Sequence, residues 1–350
     1  MKLSVLMVTY NHEKYIGQAL DSVLMQKVTF PYEIVIGDDF STDKTREIIV
    51  DYAVKHPDKI RLLLHERNLG LGGKNNFIHT LKACVGEYVA ILEGDDYWTD
   101  PHKLQKQVEL MDEHPQCAIC IHDVQEFHQN LGEIRKSIFP EHLRLVTQQK
   151  DLLKGNYIYT CSVMYRKQHL HELPPWYYDT ISLADFTINV LCSHYGDIRY
   201  IDNVMAVYRI HRSGMWTQMT ISEKIKDHII AYRNFCHYLD KKSIDVCKET
   251  LNELLIKFTQ STVHGKYSDN VPLEEIKRQA LIDINNLFNG SLPPFEPDKT
   301  LISYVNICLS AISAKNKHYV DAVKWFIQAI WMAPKFVIGR AWTSLCRRVL

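Results

Sequence analysis

Acidic residues recur in this chain directly after apolar runs, where a carboxylate is costly unless a cation or hydrogen-bond donors face it. Asp38-Asp39 follows EIVIG and leads into Phe40-Ser41-Thr42-Asp43, and Glu93-Gly94-Asp95-Asp96 follows YVAIL. Thr9-Tyr10-Asn11 closes the run LSVLMV, and Asp185 stands within LADFTINVL. Glu93, Asp95 and Asp96 offer hard oxygens suited to Mg²⁺ or Mn²⁺, ions that usually share protein carboxylates with phosphate oxygens. A diphosphate would complete such a shell. Taken singly, each cluster is also an ordinary turn or helix start; Ser41 or Asp43 before KTREII is a common N-terminal signal. Their joint position at strand ends favours a site.

Two other motifs invite chemistry and are read more simply. Gly70-Leu71-Gly72-Gly73 lacks the GxGxxG spacing straight after a strand and the Lys-Ser/Thr ending of a Walker loop. It reads as a flexible turn, although Arg67 and Lys74 nearby suit phosphate. Cys117 and Cys120 have CxxC spacing, but CAICIHDV alternates as a buried strand does and no second pair follows.

The elements that must position these residues alternate through the first hundred positions. Strands are expected at Leu3–Thr9, Tyr32–Gly37, Lys59–Leu64 and Tyr88–Leu92, separated by helices at Glu13–Met25, Asp43–Lys55 and Asn75–Cys84. That rhythm predicts right-handed βαβ crossovers and a parallel sheet, in which ligands collect at the carboxyl ends of the strands. Thr99-Asp100-Pro101 starts a helix running to about His114. Strands follow at Ala118–Val124, Tyr159–Tyr165, Ile198–Ile201 and Met205–Tyr208, with a helix at Ser182–His194. Beyond Trp216 the pattern is helical, through 221–264, 273–288 and 301–350, broken once by Pro293-Pro294 and Pro297. The predicted organisation is a catalytic domain over 1–216 and a helical region over 217–350.

Composition is that of an ordinary folded chain: 350 residues, 46% hydrophobic and 23% charged. Lys plus Arg and Asp plus Glu each total 41, so no basic excess points to nucleic acid. The N-terminus lacks a signal-peptide core, and no run reaches the ~18 apolar residues of a membrane span. The 9 cysteines form no even framework, so a reducing, cytoplasmic setting is expected. Near the C-terminus, HYVDAVKWFIQAIWMAPKF resembles one tetratricopeptide-type hairpin over about 317–336. Trp325, Phe326, Trp331 and Trp342 among Lys324, Lys335, Arg340, Arg347 and Arg348 suit either a packed helix pair or contact with the inner membrane surface.

LSVLMVTYNHEKYI, IVIGDDFSTDKT, RNLGLGGKNNFIHTLKACVGEYVAILEGDDYW and YRIHRSG together, in this order and spacing, resemble the family 2 glycosyltransferases from Leu3 to about Gly214. The resemblance implies a GT-A fold, an α/β architecture with a mostly parallel sheet flanked by helices, here with a helical C-terminal extension. It implies a nucleotide pocket at Thr9, Tyr10, Asn11, Asp38 and Asp39, with Asp39 accepting from the base. Lys74 would meet phosphate, and Asp96 would reach toward ribose or the donor sugar. Glu93-Gly94-Asp95 stands at the DxD metal motif, with Asp95 the direct ligand of Mn²⁺ or Mg²⁺. His211 would complete the metal shell, although a lone His after a strand is often structural. Asp185 would be the catalytic base. The implied reaction is inverting transfer of a sugar from a nucleotide-diphosphate donor to a glycan or lipid-linked acceptor of the cell surface. The family weighting favours a UDP-sugar; guanosine and thymidine nucleotides remain open.

The sequence departs from the family at three places: Val8 replaces a common proline, Glu93 the first carboxylate of DxD, and Ala184 the Glu of a Glu-Asp pair. Two other readings stay open. One is a scaffold of the same fold acting through its helical tail, against which Asp39, Asp95 and Asp185 speak. The other is a sugar nucleotidyltransferase, which needs an N-terminal Gly-rich loop that VTYNHEKYI lacks.

Overall fold

The computed structural model describes residues 1–136, 145–170, 173–179, 183–247, 249, 250 and 254. The chain divides into two compact units, Met1–Gln218 and Met219–Leu350. The first is built outward from the apolar run after Lys2, which forms strand β1 (Leu3–Thr9). Three crossovers surround it: α1 (Ile16–Leu24), β2 (Tyr32–Asp38), α2 (Thr45–Lys55), β3 (Ile60–Leu64), α3 (Lys74–Ala83) and β4 (Tyr88–Glu93). Strands β3-β2-β1-β4 pair in parallel, in that spatial order. Both β1 and β2 are covered on two faces, which explains why they read as apolar runs rather than alternating patterns.

Past β4 the sheet becomes mixed. Strand β5 (Tyr97–Trp98) and helix α4 (Lys103–Glu113) precede β6 (Cys117–His128), β7 (Glu133–Lys136) and β8 (Val146–Thr147). Then come α5 (Gln149–Leu152), β9 (Met164–Arg166), α6 (Ala184–Cys192), β10 (Asp197–Ile210) and α7 (Met215–Gln218). The sheet continues β4-β9-β6-β10-β5, with β9 antiparallel to both neighbours and β6 parallel to β10. The two short strands expected near 198 and 205 are one strand, because β10 absorbs the polar Asp202-Asn203 at shifts in its register against β6. The strand expected from Tyr159 begins only at Met164; residues Thr160–Ser162 make a 3₁₀ turn. Strand β5, two residues long, gave no sequence pattern of its own.

One apolar core runs beneath the sheet, from Leu3, Val5 and Met7 through Leu20, Ile34 and Ile36 to Trp98, Leu104, Val108 and Met164. Cys117 and Cys120 are both buried in β6, where burial pushes the Cys117 thiol up to about 12 and the Cys120 thiol higher still. They are core thiols, as the strand pattern predicted. Gly86 is required by close packing: a Cβ there would lie 2.3 Å from the Ser4 nitrogen and 2.5 Å from the Leu3 carbonyl carbon.

In the second unit, α8 (Ile221–Tyr238) begins with a capping box between Thr220 and Glu223. Residues 241–247 are also helical. The helices expected over 273–288 and 301–350, the hairpin near 317–336 and the aromatic-basic segment lie outside the described residues. Among the described residues no helix is long and apolar enough to cross a membrane.

Candidate active site

The loop after β1 is bracketed to the loop after β2. The Asn11 N–H donates to Ser41 Oγ at 2.9 Å, His12 N–H to Thr45 Oγ1 at 2.8 Å, and Glu13 N–H to Asp43 Oδ2 at 3.1 Å. In return Thr42 N–H donates to Asn11 Oδ1 at 2.8 Å. Asn11 turns the chain with φ +55°, a conformation that Asn tolerates better than most residues. These bonds fix Thr9 and Tyr10 at the carboxyl edge of the sheet, where Thr9 is buried and Tyr10 is exposed.

Asp39 begins the same loop. Its N–H donates to the Thr9 carbonyl at 3.0 Å, and its Oδ1 accepts the Leu69 N–H at 2.7 Å. Burial raises its pKa; the Leu69 N–H partly offsets that. Beside it, Arg67, Asn68, Leu69, Asn75 and His79 line a cleft of about 500 Å³. Three expected nucleotide contacts are engaged within the protein. Asp38 is fully buried and its Oδ2 binds Arg46 Nε at 2.5 Å. Asn11 joins the two loops, and buried Lys74 donates from Nζ to the Tyr177 carbonyl at 2.8 Å. Their types suited phosphate or ribose; the partner of Asp38 comes from the first turn of α2, eight residues on, and those of Asn11 and Lys74 from segments 30 or more residues away.

The acidic motif turns directly off β4. Gly94 sits where a Cβ would fall 2.9 Å from both Thr9 Oγ1 and His12 Nδ1, so the middle residue must be small. Strand β5 then pairs antiparallel with β10, setting Trp98 opposite Ala206 and Tyr97 opposite Val207. That pairing carries the end of β10 to the acids. Asp96 Oδ1 accepts the Arg209 N–H at 2.7 Å, and Arg209 Nε donates to the Asp95 carbonyl at 2.8 Å. The Arg209 guanidinium also donates to Gln18 at 2.7 Å and lies over the rings of Tyr15, Tyr97 and Phe127. His211 Nε2 comes to 3.0 Å from Asp95 Oδ2, with its Nδ1 2.8 Å from Ser213 Oγ.

The three acids are held in different electrostatic states. Burial raises Glu93 to about 8, with the charges of Asp95 and Asp185 adding to the effect. Burial acts on Asp95 in the same sense, but His12 and His211 beside it bring it below the ordinary value. Asp96 is raised well above that value, first by burial and then by Asp95 and Glu93. Asp95 is therefore the acid whose surroundings favour its charged form. Among the described residues no group of three His, Cys, Asp or Glu side chains is arranged so that it could hold a metal ion by itself. Asp95 and His211 nevertheless suit a divalent cation whose remaining positions a diphosphate would fill: a charged carboxylate and an imidazole converge, and buried Thr9 Oγ1 and His12 Nδ1 have no hydrogen-bond partner.

Asp185 lies in the first turn of α6, with the Thr160 hydroxyl 3.3 Å from its Oδ2. Its charge is among those that raise Glu93, after burial and Asp95. The sequence reading passed over His12, whose Nε2 is 3.7 Å from Asp95 Oδ2, and Arg209, which ties both acids to β10. The signal for both lay in motifs already quoted, YNHEKYI and YRIHRSG.

Residues 4–173 match the family described as Glycosyl transferase family 2. An uncharacterized protein of Mycobacterium tuberculosis is 39% identical over 214 residues, 61% of this chain and 60% of its own length. An uncharacterized glycosyltransferase of Nostoc sp. is 33% identical over 221 residues, 60% of this chain and 65% of its own. The match thus spans less than two thirds of these relatives. Among solved structures, Staphylococcus aureus TarS 1-349 in complex with UDP-GlcNAc is similar at TM-score 0.61 and 19% identity, covering 93% of this chain and 90% of that one. The mannosyltransferase PcManGT from Pyrobaculum calidifontis, in complex with GDP-Man and Mn²⁺, is similar at TM-score 0.55 and 16% identity, covering 97% and 88%. At these identities the structures speak for the fold, a mixed sheet with flanking helices of the GT-A type. With its motifs gathered on the carboxyl edge of that sheet, the chain is similar over residues 4–173, just under half its length, to glycosyl transferase family 2.

Proposed function

We propose that this protein is an inverting, metal-dependent glycosyltransferase that moves a hexosyl or N-acetylhexosaminyl group from a nucleotide-diphosphate donor to a glycan or lipid-linked acceptor. The observation that carries the reading is the meeting of Asp95 and His211 at 3.0 Å, next to Glu93, which feels the charges of both Asp95 and Asp185. Asp39 and the cleft beside Leu69 would take the base, and Thr9 and Tyr10 the ribose side of the donor. Asp95 and His211 would hold Mn²⁺ or Mg²⁺, and such an ion supplies positive charge opposite the leaving diphosphate. Asp185 would accept the proton of the attacking hydroxyl. Attack on the face opposite the leaving group inverts the anomeric centre in a single displacement.

A UDP-sugar is the proposed donor, supported by the complex of TarS with UDP-GlcNAc; the GDP-Man complex of the mannosyltransferase makes guanosine donors the comparison to run. We place the reaction in cell-surface polysaccharide synthesis on the cytoplasmic side. The test is hydrolysis and transfer by the full-length protein on a panel of UDP-, GDP- and TDP-sugars, with Mn²⁺, Mg²⁺ or chelator. Release of one nucleotide that stops with chelator supports the reading, and NMR of the product gives its anomeric configuration. No turnover of any donor would favour the scaffold role, and turnover untouched by chelator would remove the metal.

A further inference from the structure

We infer that Glu126, held by Tyr159 and His128, is the acceptor-binding carboxylate, taking hydroxyls of a neutral sugar ring next to the hydroxyl that attacks. The inference rests on the glycosyltransferase reading above and extends it to the acceptor side, for which the motifs supply only Asp185. Two consecutive residues tie the two carboxylates together. The Tyr159 hydroxyl donates to Glu126 Oε1 at 2.7 Å, and the Thr160 hydroxyl to Asp185 Oδ2 at 3.3 Å. Sheet pairing sets this group at the carboxyl edge: β6 and β10 run parallel, with Glu126 beside Tyr208, Phe127 beside Arg209 and His128 beside Ile210. Phe127 turns its ring to the Arg209 guanidinium, 5.5 Å away, so by alternation Glu126 and His128 turn to the other face. On that face the rings of Tyr159 and Tyr208 meet at 5.5 Å.

Glu126 can accept more hydrogen bonds than the protein gives it. Its Oε1 takes the Tyr159 hydroxyl, its Oε2 lies 3.1 Å from His128 Nε2, and among the described residues no Lys or Arg pairs with it. A carboxylate has about four lone-pair sites, so each oxygen can accept a further hydroxyl. Its side chain is 26% exposed, unlike a carboxylate kept only to satisfy a core. Tyr159 and Tyr208, both half-buried, add aromatic surface beside it. A pyranose matches that combination, since its C–H face packs on an aromatic ring while its hydroxyls donate to a carboxylate. Arg135, opposite Glu126 on β7, is already paired with Glu133 at 2.8 Å, which suits a neutral sugar rather than a phosphate.

The test takes the full-length protein with p-nitrophenyl glycosides of glucose, galactose, mannose and N-acetylglucosamine, and with glycerol 3-phosphate as the phosphate-bearing comparison. Saturation-transfer NMR reads their binding without turnover, and acceptor kinetics follow with the donor that the enzyme uses. The wild type should bind a glycoside and bind glycerol 3-phosphate no better. Glu126→Gln should weaken that glycoside and raise its KM ~10-fold or more, the loss expected for a hydrogen bond to a charged group. Tyr159→Phe keeps the ring and removes one neutral bond, so the loss should be ~2–10-fold. UDP and GDP affinity should follow the wild type in both. Glycoside affinity unchanged by both substitutions, or binding of glycerol 3-phosphate without any glycoside, overturns the proposal. Nucleotide affinity lost in both variants marks the cluster as structural and also overturns it. A fall in kcat of ~10²-fold or more in Glu126→Gln, with KM unchanged, would make Glu126 the base in place of Asp185. Glycoside binding that depends on Glu126 in a protein that turns over no donor would overturn the transferase reading and leave the sugar site standing.

Discussion

Asp185, the proposed base, sits at the start of α6, where the helix dipole favours a carboxylate, and Thr160 Oγ1 donates to one of its oxygens at 3.3 Å. Asp185→Asn keeps the size and removes the proton acceptor. Transfer should fall ~10²–10⁴-fold in kcat with nucleotide affinity unchanged. Asp197, paired with Arg199 at 3.3 Å at the far end of β10, supplies the control; wild-type transfer by Asp185→Asn would move the base elsewhere. Lys103 poses the opposite problem. It is fully buried, its Nζ has no hydrogen-bond partner and lies 3.8 Å from the Trp98 ring centre, and burial lowers it to about 7. Between that value and its ordinary 10.5 the unfolded chain binds a proton that the folded chain does not, so this group lowers stability as pH falls through that window. Lys103→Met should stabilise by about 1–3 kcal/mol at pH 7 and below, and its advantage should shrink toward pH 10. Urea unfolding at several pH values measures both; an equal gain at every pH would show that charge is not the cause.

At the scale of elements, two glycines perform different tasks and their substitutions should separate. Gly86 lets the turn before β4 lie against the backbone of β1, and backbone cannot step aside for a Cβ at 2.3 Å. Gly86→Ala should cost about 1–3 kcal/mol or more, the range for forcing atoms into a packed interior. Gly94→Ala meets side-chain atoms of Thr9 and His12 at 2.9 Å, which can give way. It should melt near the wild type yet lose Mn²⁺ binding and donor turnover, because what gives way is the site. Thermal melts beside Mn²⁺ titration check this pair. A wild-type melting temperature for Gly86→Ala would refute the close approach of β1. Equal Mn²⁺ affinity in Gly94→Ala would show that the space beside His12 is not needed. The short strand β5 is the element on which the site depends most, since its pairing with β10 brings Arg209 and His211 to the acids.

For the whole molecule, every described strand and every candidate site residue falls within Met1–Gln218. A chain ending at Gln218 should therefore unfold in one cooperative transition and bind the donor nucleotide as the full chain does. Nucleotide titration and calorimetry on the two chains make the comparison; an unfolded 1–218 would show that the second unit is needed for the first to fold. If residues 319–350 contact a membrane surface, the full chain should co-sediment with anionic vesicles at low salt and 1–218 should not. Co-sedimentation of neither chain would leave packing as the role of that segment.

The residues by themselves determined the parallel half of the sheet, since LSVLMVT, YEIVIG and YVAIL are apolar on both faces and helix-length segments separate them. They also placed Thr9, Asp39 and Asp95 at strand ends, because local pattern fixes where a strand stops. Which of those polar groups stay available for a ligand was a tertiary outcome: Arg46 reaches Asp38 and the Tyr177 carbonyl reaches Lys74 only once α2 and the segment around 177 have packed. The same holds for His12, Arg209 and His211. Position 211 reaches Asp95 through a two-residue strand with no periodicity to announce it, and position 12 through the parallel pairing of β1 with β4; contact between residues so far apart is decided by sheet pairing rather than by any local propensity.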